Sequence, residues 1–264
     1  MNISKIAIIG CGNLGLSIAN GLIDNPTFDN SDLIATRRNL EAIQELKSHG
    51  VQITSDNNKA VQEANVIILS VKPYNVLNVC KEIKGSVQKG NIVVSTVTGI
   101  SIDQIQEALG SDISVLRVMP NTAADVNESV TCIADKGASN EDYQAVADIF
   151  NAIGNTIRIS EDLMEAATVL GACGIAYVLR FMRAMVQGGI QIGFDAKTAT
   201  AIVNQTVKGA SQLLIQNGMH PEYEIDKVTT PKGCTIVGIN EMEHNGFSSS
   251  LIKGIVASYE AIEK

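Results

Sequence analysis

Six residues near the N-terminus have the types and spacing to hold a dinucleotide. Gly10-Cys11-Gly12-Asn13-Leu14-Gly15 fits G-x-G-x-x-G, directly after the apolar run at 5–9 and at the start of a helix-periodic stretch, 13–22. In that order of strand, loop and helix, the first glycine permits a tight turn and the second lets the backbone approach a pyrophosphate. The third allows close helix–sheet packing, and the helix N-terminus adds amides and a favourable dipole. About twenty residues further on, NAD-binding versions carry an acid. Here the window reads Ala35-Thr36-Arg37-Arg38, with no acid at all. A carboxylate would repel a ribose 2′-phosphate, whereas two guanidiniums and a Thr hydroxyl would bind it. The expectation is NADPH, with NADH as the weaker alternative; the bland reading of Arg37 and Arg38 is a pair of solvated surface charges.

Two further loops fall where strand carboxyl ends are expected: Val71-Lys72-Pro73 and Met119-Pro120-Asn121-Thr122. Ligand contacts gather at that edge of a doubly wound sheet. Pro73 ends a strand and leaves Lys72 near the cofactor rim, while Asn121 and Thr122 can donate to the nicotinamide ribose or amide. Asn57 lies in another such connection, on the adenosine side. For any one of these, a plain strand-to-helix turn is the competing reading. Towards the C-terminus, Thr229-Thr230-Pro231-Lys232-Gly233-Cys234-Thr235 breaks the chain and leads into an apolar-periodic segment. Thr235 falls where an N-cap is expected, and hydroxyls and free amides at a helix N-terminus suit a small carboxylate.

The elements that position these residues alternate. Strands are expected at 5–9, 32–36, 65–71, 91–96 and 114–119, and helices at 13–22, 40–48 and 101–109; strict alternation with right-handed crossovers gives a doubly wound sheet. Beyond 159 the character changes to long Ala-, Met- and Gly-rich stretches, 161–187 and 196–216, and a final helix at 248–262. A domain boundary is placed near Ser160, between a Rossmann α/β domain (1–160) and an all-helical second domain (161–264).

The chain has 264 residues, 45% hydrophobic and 18% charged, which excludes general disorder. The formal charge, −8, argues against broad nucleic-acid binding, and 4% aromatic residues with no Trp against base-stacking platforms. Five widely spaced cysteines without a Cys-x-x-Cys indicate neither disulfides nor a metal site. The uncharged run at 166–179 is shorter than the ~20 residues of a membrane span, so it reads as a buried core helix. A soluble, cytoplasmic chain with no membrane contact is expected. His49, His220 and His244 sit in no catalytic pattern.

Taken together, the glycine loop, Val71-Lys-Pro73, Met119-Pro-Asn-Thr122 and the C-terminal Thr-Pro-x-Gly-x-Thr element closely resemble the pyrroline-5-carboxylate reductase family, in order and spacing over essentially the whole chain. The resemblance implies NADPH reduction of the cyclic imine Δ1-pyrroline-5-carboxylate to L-proline, the last step of proline biosynthesis. It also implies a helical domain that interlocks with a second copy. A homodimer is expected, with further assembly up to a decamer. Thr235 is then the main substrate-contact candidate, its hydroxyl near the ring nitrogen, and the backbone around Gly233 and Cys234, with Thr230 and Lys232, holds the carboxylate. This sequence has Pro231-Lys-Gly-Cys-Thr235 where the family usually has Pro-Gly-Gly-Thr-Thr. It has Gly171-Ala-Cys-Gly-Ile-Ala176 where the family usually has Ser-Gly-Ser-Gly-Pro-Ala. A related β-hydroxyacid dehydrogenase or imine reductase is the runner-up; the former would want a Lys and an Asn that 177–183 lacks. A non-catalytic NADPH-binding regulator is the third reading.

Overall fold

The computed structural model describes residues 5–110 and 112–262. Its sheet is built from short strands of branched aliphatics: β1 (Ile6–Ile9), β2 (Leu33–Thr36), β4 (Val66–Leu69) and β5 (Ile92–Ser95) are four residues each and buried throughout. Continuous apolar runs of this kind suit parallel strands covered on both faces. With β3 (Gln52–Thr54), β6 (Ser114–Met119), β7 (Ser129–Asp135) and β8 (Gly154–Arg158), the described residues form one sheet in the order β3-β2-β1-β4-β5-β6-β7-β8. Every pairing is parallel except β6 with β7.

The two-residue period of the strands divides the core. Ile6, Ile8, Ile68 and Val94 face α1 (Asn13–Ile23) and α6 (Asn140–Asn151), packing with Ile18, Leu22 and Phe150. Ala7, Ile9, Ile67 and Val93 face the other way, towards α3 (Asn57–Glu63), α4 (Pro73–Ile83) and α5 (Ile102–Leu109), packing with Val61, Val76 and Ile105. Helices on both faces of a mostly parallel sheet make the doubly wound architecture expected from the alternation. Ser101 caps α5 with a full capping box. The helix expected at 40–48 is a 3-10 turn, Leu40–Ile43, running into a short α2 (Gln44–Ser48).

The remaining elements are helical: α7 (Met164–Ala167), a π-helical turn (Thr168–Cys173), α8 (Gly174–Gln191), α9 (Ala196–Asn217), α10 (Pro221–Val228), α11 (Cys234–His244) and α12 (Phe247–Ile262). The chain divides into two compact units, one reaching to Ile175 and taking in the chain from Tyr259, the other Ala176–Ser258. Three residues, Val186, Ala199 and Val203, form the buried apolar cluster of the second unit among the described residues.

Here one expectation is corrected. The run at 166–179 is not a buried core helix: Leu170 is 70% and Leu179 58% exposed. It belongs to a longer helical stretch, Glu161–Gln191, with a mean hydropathy of 1.6 in its most apolar window, which is long and apolar enough by length and composition to cross a membrane. Counting an uncharged run missed it because Arg180, Arg183 and Glu165 interrupt the count without interrupting the helix.

Arg117 joins the start of this stretch to the sheet. It is 3% exposed at the centre of β6, and its Nη1 and Nη2 donate to Glu161 Oε1 (3.3 Å) and Glu165 Oε1 (2.9 Å). Glu161 Oε1 also accepts from the Ile102 amide at the start of α5 (2.7 Å). A charge inside an apolar strand requires such partners, because an unpaired buried guanidinium is strongly disfavoured.

Candidate active site

The glycine loop leaves the carboxyl end of β1 and enters α1. Gly10 adopts φ +90, and a Cβ there would collide with Val71 Cγ1 and lie 2.9 Å from the Ser70 carbonyl. Only glycine fits, so Val71 and the end of β4 set the turn's floor. A Cβ on Gly15 would sit 2.9 Å from the Gly10 carbonyl, which is the close helix–sheet approach expected of the third glycine. Gly12 differs. A Cβ there would meet nothing within 4 Å, so protein packing does not demand its smallness. The open space lies above the N-terminus of α1, where Gly12 is the N-cap, no side chain caps the helix and the first turn carries no acid. An amide cradle that a Cβ would fill fits a pyrophosphate.

Thr36 holds this loop from below. It is 1% exposed; its Oγ1 accepts from the Gly10 amide (3.1 Å) and donates to Asn57 Oδ1 (2.7 Å). Asn57 Nδ2 in turn donates to Glu82 Oε1 (3.1 Å) on α4. The hydroxyl expected to meet a 2′-phosphate is thus engaged inside the chain. Glu82, which no sequence signal marked, orients the amide that engages it. Cys11 is fully buried, its amide donating to the Thr36 carbonyl (2.7 Å) and its carbonyl accepting from Arg37 Nη1 (3.0 Å). Burial pushes the Cys11 thiol up to about 12, the neighbouring Arg37 guanidinium pulling it the other way. Arg37 therefore lies on the loop itself, half-buried, while Arg38 is exposed beside it. Asn13 and Leu14 open α1 at the same rim.

The neighbouring carboxyl ends supply the rest of the edge. Lys72 is the exposed N-cap of α4, with Pro73 at its first position. After β6, Met119 is 4% and Asn121 5% exposed. Asn121 caps the 3-10 turn Thr122–Val126 through its Oδ1, and its Nδ2 donates to the Gly171 carbonyl in the π-turn (3.1 Å). Thr122 is exposed. By contrast, a cavity of about 460 Å³ beside α1 and α2 is lined by Asp24, Glu45 and Asp125 together with Asn20 and His49, a net acidic lining unsuited to phosphates.

In the second unit, Thr230, Pro231, Lys232 and Gly233 form a turn closed by the Gly233 amide on the Thr230 carbonyl (2.9 Å). Pro at the second position and a positive φ at the third, Lys232 at +62, describe a type II turn, whose third position favours glycine. The N-cap of α11 is Gly233, with no side-chain cap, so the expectation of Thr235 as N-cap is corrected. Thr235 lies at the second helical position, half-buried, and its hydroxyl makes no hydrogen bond among the described residues. The turn N–H of Gly233 is used, while the first amides of α11, Cys234 among them, have no capping side chain. Cys234 itself is exposed. No group of His, Cys, Asp and Glu that could hold a metal occurs among the described residues.

Comparison with known proteins places the chain. The family described as pyrroline-5-carboxylate reductase dimerisation matches residues 161–264, and that described as NADP oxidoreductase, coenzyme F420-dependent, matches 5–99. Pyrroline-5-carboxylate reductase 2 of Dictyostelium discoideum is 44% identical over all of this chain and 93% of its own length. Pyrroline-5-carboxylate reductase 1 of the same organism is 44% identical over 96% of this chain, which spans only 48% of that longer protein. The crystal structure of Plasmodium falciparum pyrroline carboxylate reductase with NADP bound superposes with a TM-score of 0.90 at 26% identity, covering 99% of this chain and 97% of that one. The match extends through the glycine loop, the sheet and the helical region alike, and the chain belongs to the pyrroline-5-carboxylate reductase family.

Proposed function

We propose that this chain is an NADPH-dependent oxidoreductase that reduces Δ1-pyrroline-5-carboxylate to L-proline. The observation that carries the reading is the joint match to a nucleotide-binding oxidoreductase family and to the reductase's dimerisation family in one chain. The solved relative with NADP bound supports the cofactor, as does the end of β2, where an arginine rather than an acid lies on the glycine loop.

When bound, NADPH supplies the hydride that the imine carbon receives. The chain's own residues bind and align. Gly10, Gly12 and Gly15 shape the loop, and the amides at Asn13 and Leu14 face the pyrophosphate. Arg37 and Arg38 hold the 2′-phosphate, with Thr36 and Asn57 fixing the loop rather than touching phosphate. Val71, Lys72, Pro73 and Met119 line the nicotinamide side. The α11 N-terminus, with Gly233, Cys234 and Lys232, anchors the substrate carboxylate, and the unpaired Thr235 hydroxyl meets the ring nitrogen; Thr230 sets the turn. A protonated imine is already electrophilic, so alignment supplies most of the acceleration and no acid–base constellation is required.

We divide the work at residue 160, residues 1–160 holding the cofactor and 161–264 dimerising and holding the substrate. A second copy of this chain is the proposed cover for the exposed apolar helices, with dimers assembling further, up to a decamer. The unpaired cysteines fit a reducing, cytoplasmic setting. NADPH oxidation with pyrroline-5-carboxylate, run beside 3-hydroxyisobutyrate with NADP+, tests the reading. Turnover of the first alone is expected; turnover of the second alone, or of neither, overturns it.

A further inference from the structure

Asn121 stands at the carboxyl end of β6 with all its polar groups committed. Its amide donates to Ser129 Oγ (3.0 Å), its Oδ1 accepts from the Ala123 amide (3.0 Å), and its Nδ2 reaches the Gly171 carbonyl (3.1 Å). Asn121 itself is 5% exposed, while Gly171, which accepts from its Nδ2, is half-buried. Gly171 lies within the π-helical turn Thr168–Cys173. A π-turn carries one residue more per turn than its flanking α-helix, so it persists only where tertiary contacts favour it over the α register. Two such contacts are present. Asn121 donates to the Gly171 carbonyl (3.1 Å), and the turn packs against β6 and β7.

We propose that Asn121 is a positioning residue for the reaction: it locks the π-turn at 168–173 in register beside the carboxyl ends of β6 and β7. The inference rests on the reading that the nicotinamide end of the cofactor lies along that edge. With the lock in place, the backbone of Gly171 to Gly174 flanks the reacting rings in one fixed register. Without it the turn can relax towards α geometry, which shifts the backbone that follows by a fraction of a turn.

Two substitutions isolate the Nδ2 donor. Asn121→Asp keeps the oxygen that caps the 3-10 turn but cannot donate to Gly171, and Asn121→Ser keeps a capping oxygen too short to reach it. Both are compared with wild type as full chains. Three measurements are made: hydrogen exchange of the amides at 168–176 without cofactor, NADPH Kd, and kcat and KM with pyrroline-5-carboxylate. The expected result is exchange at 168–176 faster by about tenfold or more, as for loss of one internal hydrogen bond, with NADPH Kd within about threefold. A fall in kcat about tenfold or greater, with KM less affected, completes it. Unchanged exchange in the soluble serine variant overturns the proposal, as does an NADPH Kd that rises in step with the loss of activity, which would make Asn121 a cofactor contact instead. Exchange does not depend on which substrate is reduced, so a wild-type chain inactive on the imine would sink the functional reading and leave this comparison standing.

Discussion

Gly12 and Gly233 both open helices with no capping side chain and no acid in the first turn, and the resemblance assigns both to anion binding. Their surroundings differ completely. The Gly12 loop is gripped everywhere but on its ligand side: Gly10 against Ser70 and Val71, Cys11 buried beneath, Thr36 and Arg37 hydrogen-bonded to it. The Gly233 turn is held by its own Gly233–Thr230 bond, its residues Thr230 to Lys232 are exposed, and α11 has no buried residue. One proposed anion site is finished inside a single folded unit. The other is an exposed turn whose rigidity has to come from outside it. The contrast follows from the interior each is built on: eight strands with helices on both faces, against a three-residue apolar cluster.

The sharpest way to break the comparison is at the glycines. Gly10→Ala forces a Cβ into Val71 at positive φ and is expected to cost about 2–4 kcal/mol and to abolish NADPH binding. Gly12→Ala should leave Tm within about 2 °C yet raise NADPH Kd about tenfold or more, because only the ligand needs that space. Titration of both variants by nucleotide fluorescence, beside thermal melts, reads the difference; equal destabilisation would refute it. Next in size, Arg37→Asp puts an acid at the proposed 2′-phosphate position and should shift the NADPH/NADH ratio of kcat/KM about tenfold or more towards NADH.

On the exposed turn, Thr235→Val removes a hydroxyl that caps nothing. It should lower kcat/KM for pyrroline-5-carboxylate about tenfold with Tm unchanged; a loss of stability with full activity would make the residue structural after all. Lys232→Gly relieves the positive φ and should stabilise the turn by about 1 kcal/mol, seen as a higher melting temperature of the second unit, while weakening substrate KM slightly.

The smallest effects are at the thiols. Cys234 should react with maleimide readily at neutral pH, and Cys11 and Cys80 hardly at all, since burial raises them to about 12 and about 11. An unfolded thiol ionises near 9, so between there and the folded values the folded state holds more protons than the unfolded one. The stability these thiols contribute is present below pH about 9 and is lost as pH rises towards their folded values. Melting temperatures across that range should fall, and less steeply in a Cys80→Ala chain.

Legibility tracked the range of the interactions. β1, β2, β4, β5 and β6 were readable because buried parallel strands need unbroken apolar runs. β3, three residues long, β7, with buried Ser129 and Thr131 among its residues, and β8, with no buried residue, have no such run and exist through their neighbours. The glycine loop was readable from its spacing, but the relay from Glu82 through Asn57 and Thr36 to Gly10 joins four distant segments and leaves no local trace. Arg117 did leave one, a charge inside an apolar strand, although its partners Glu161 and Glu165 lie more than forty residues away.

What the amino-acid order determined alone is whatever depends on local geometry and composition: the strand–loop–helix of the cofactor site, the absence of an acid after β2, the helical second half and the family's motifs. The tertiary structure decided where hydrogen-bonding capacity was spent. It committed Thr36 and Asn57 to the loop and Asn121 to a π-turn, made Gly233 rather than Thr235 the cap, and left the apolar face of 161–191 exposed within the chain. The reason is that a side chain's type sets what it can bond to, while only the packed chain decides which partner reaches it first.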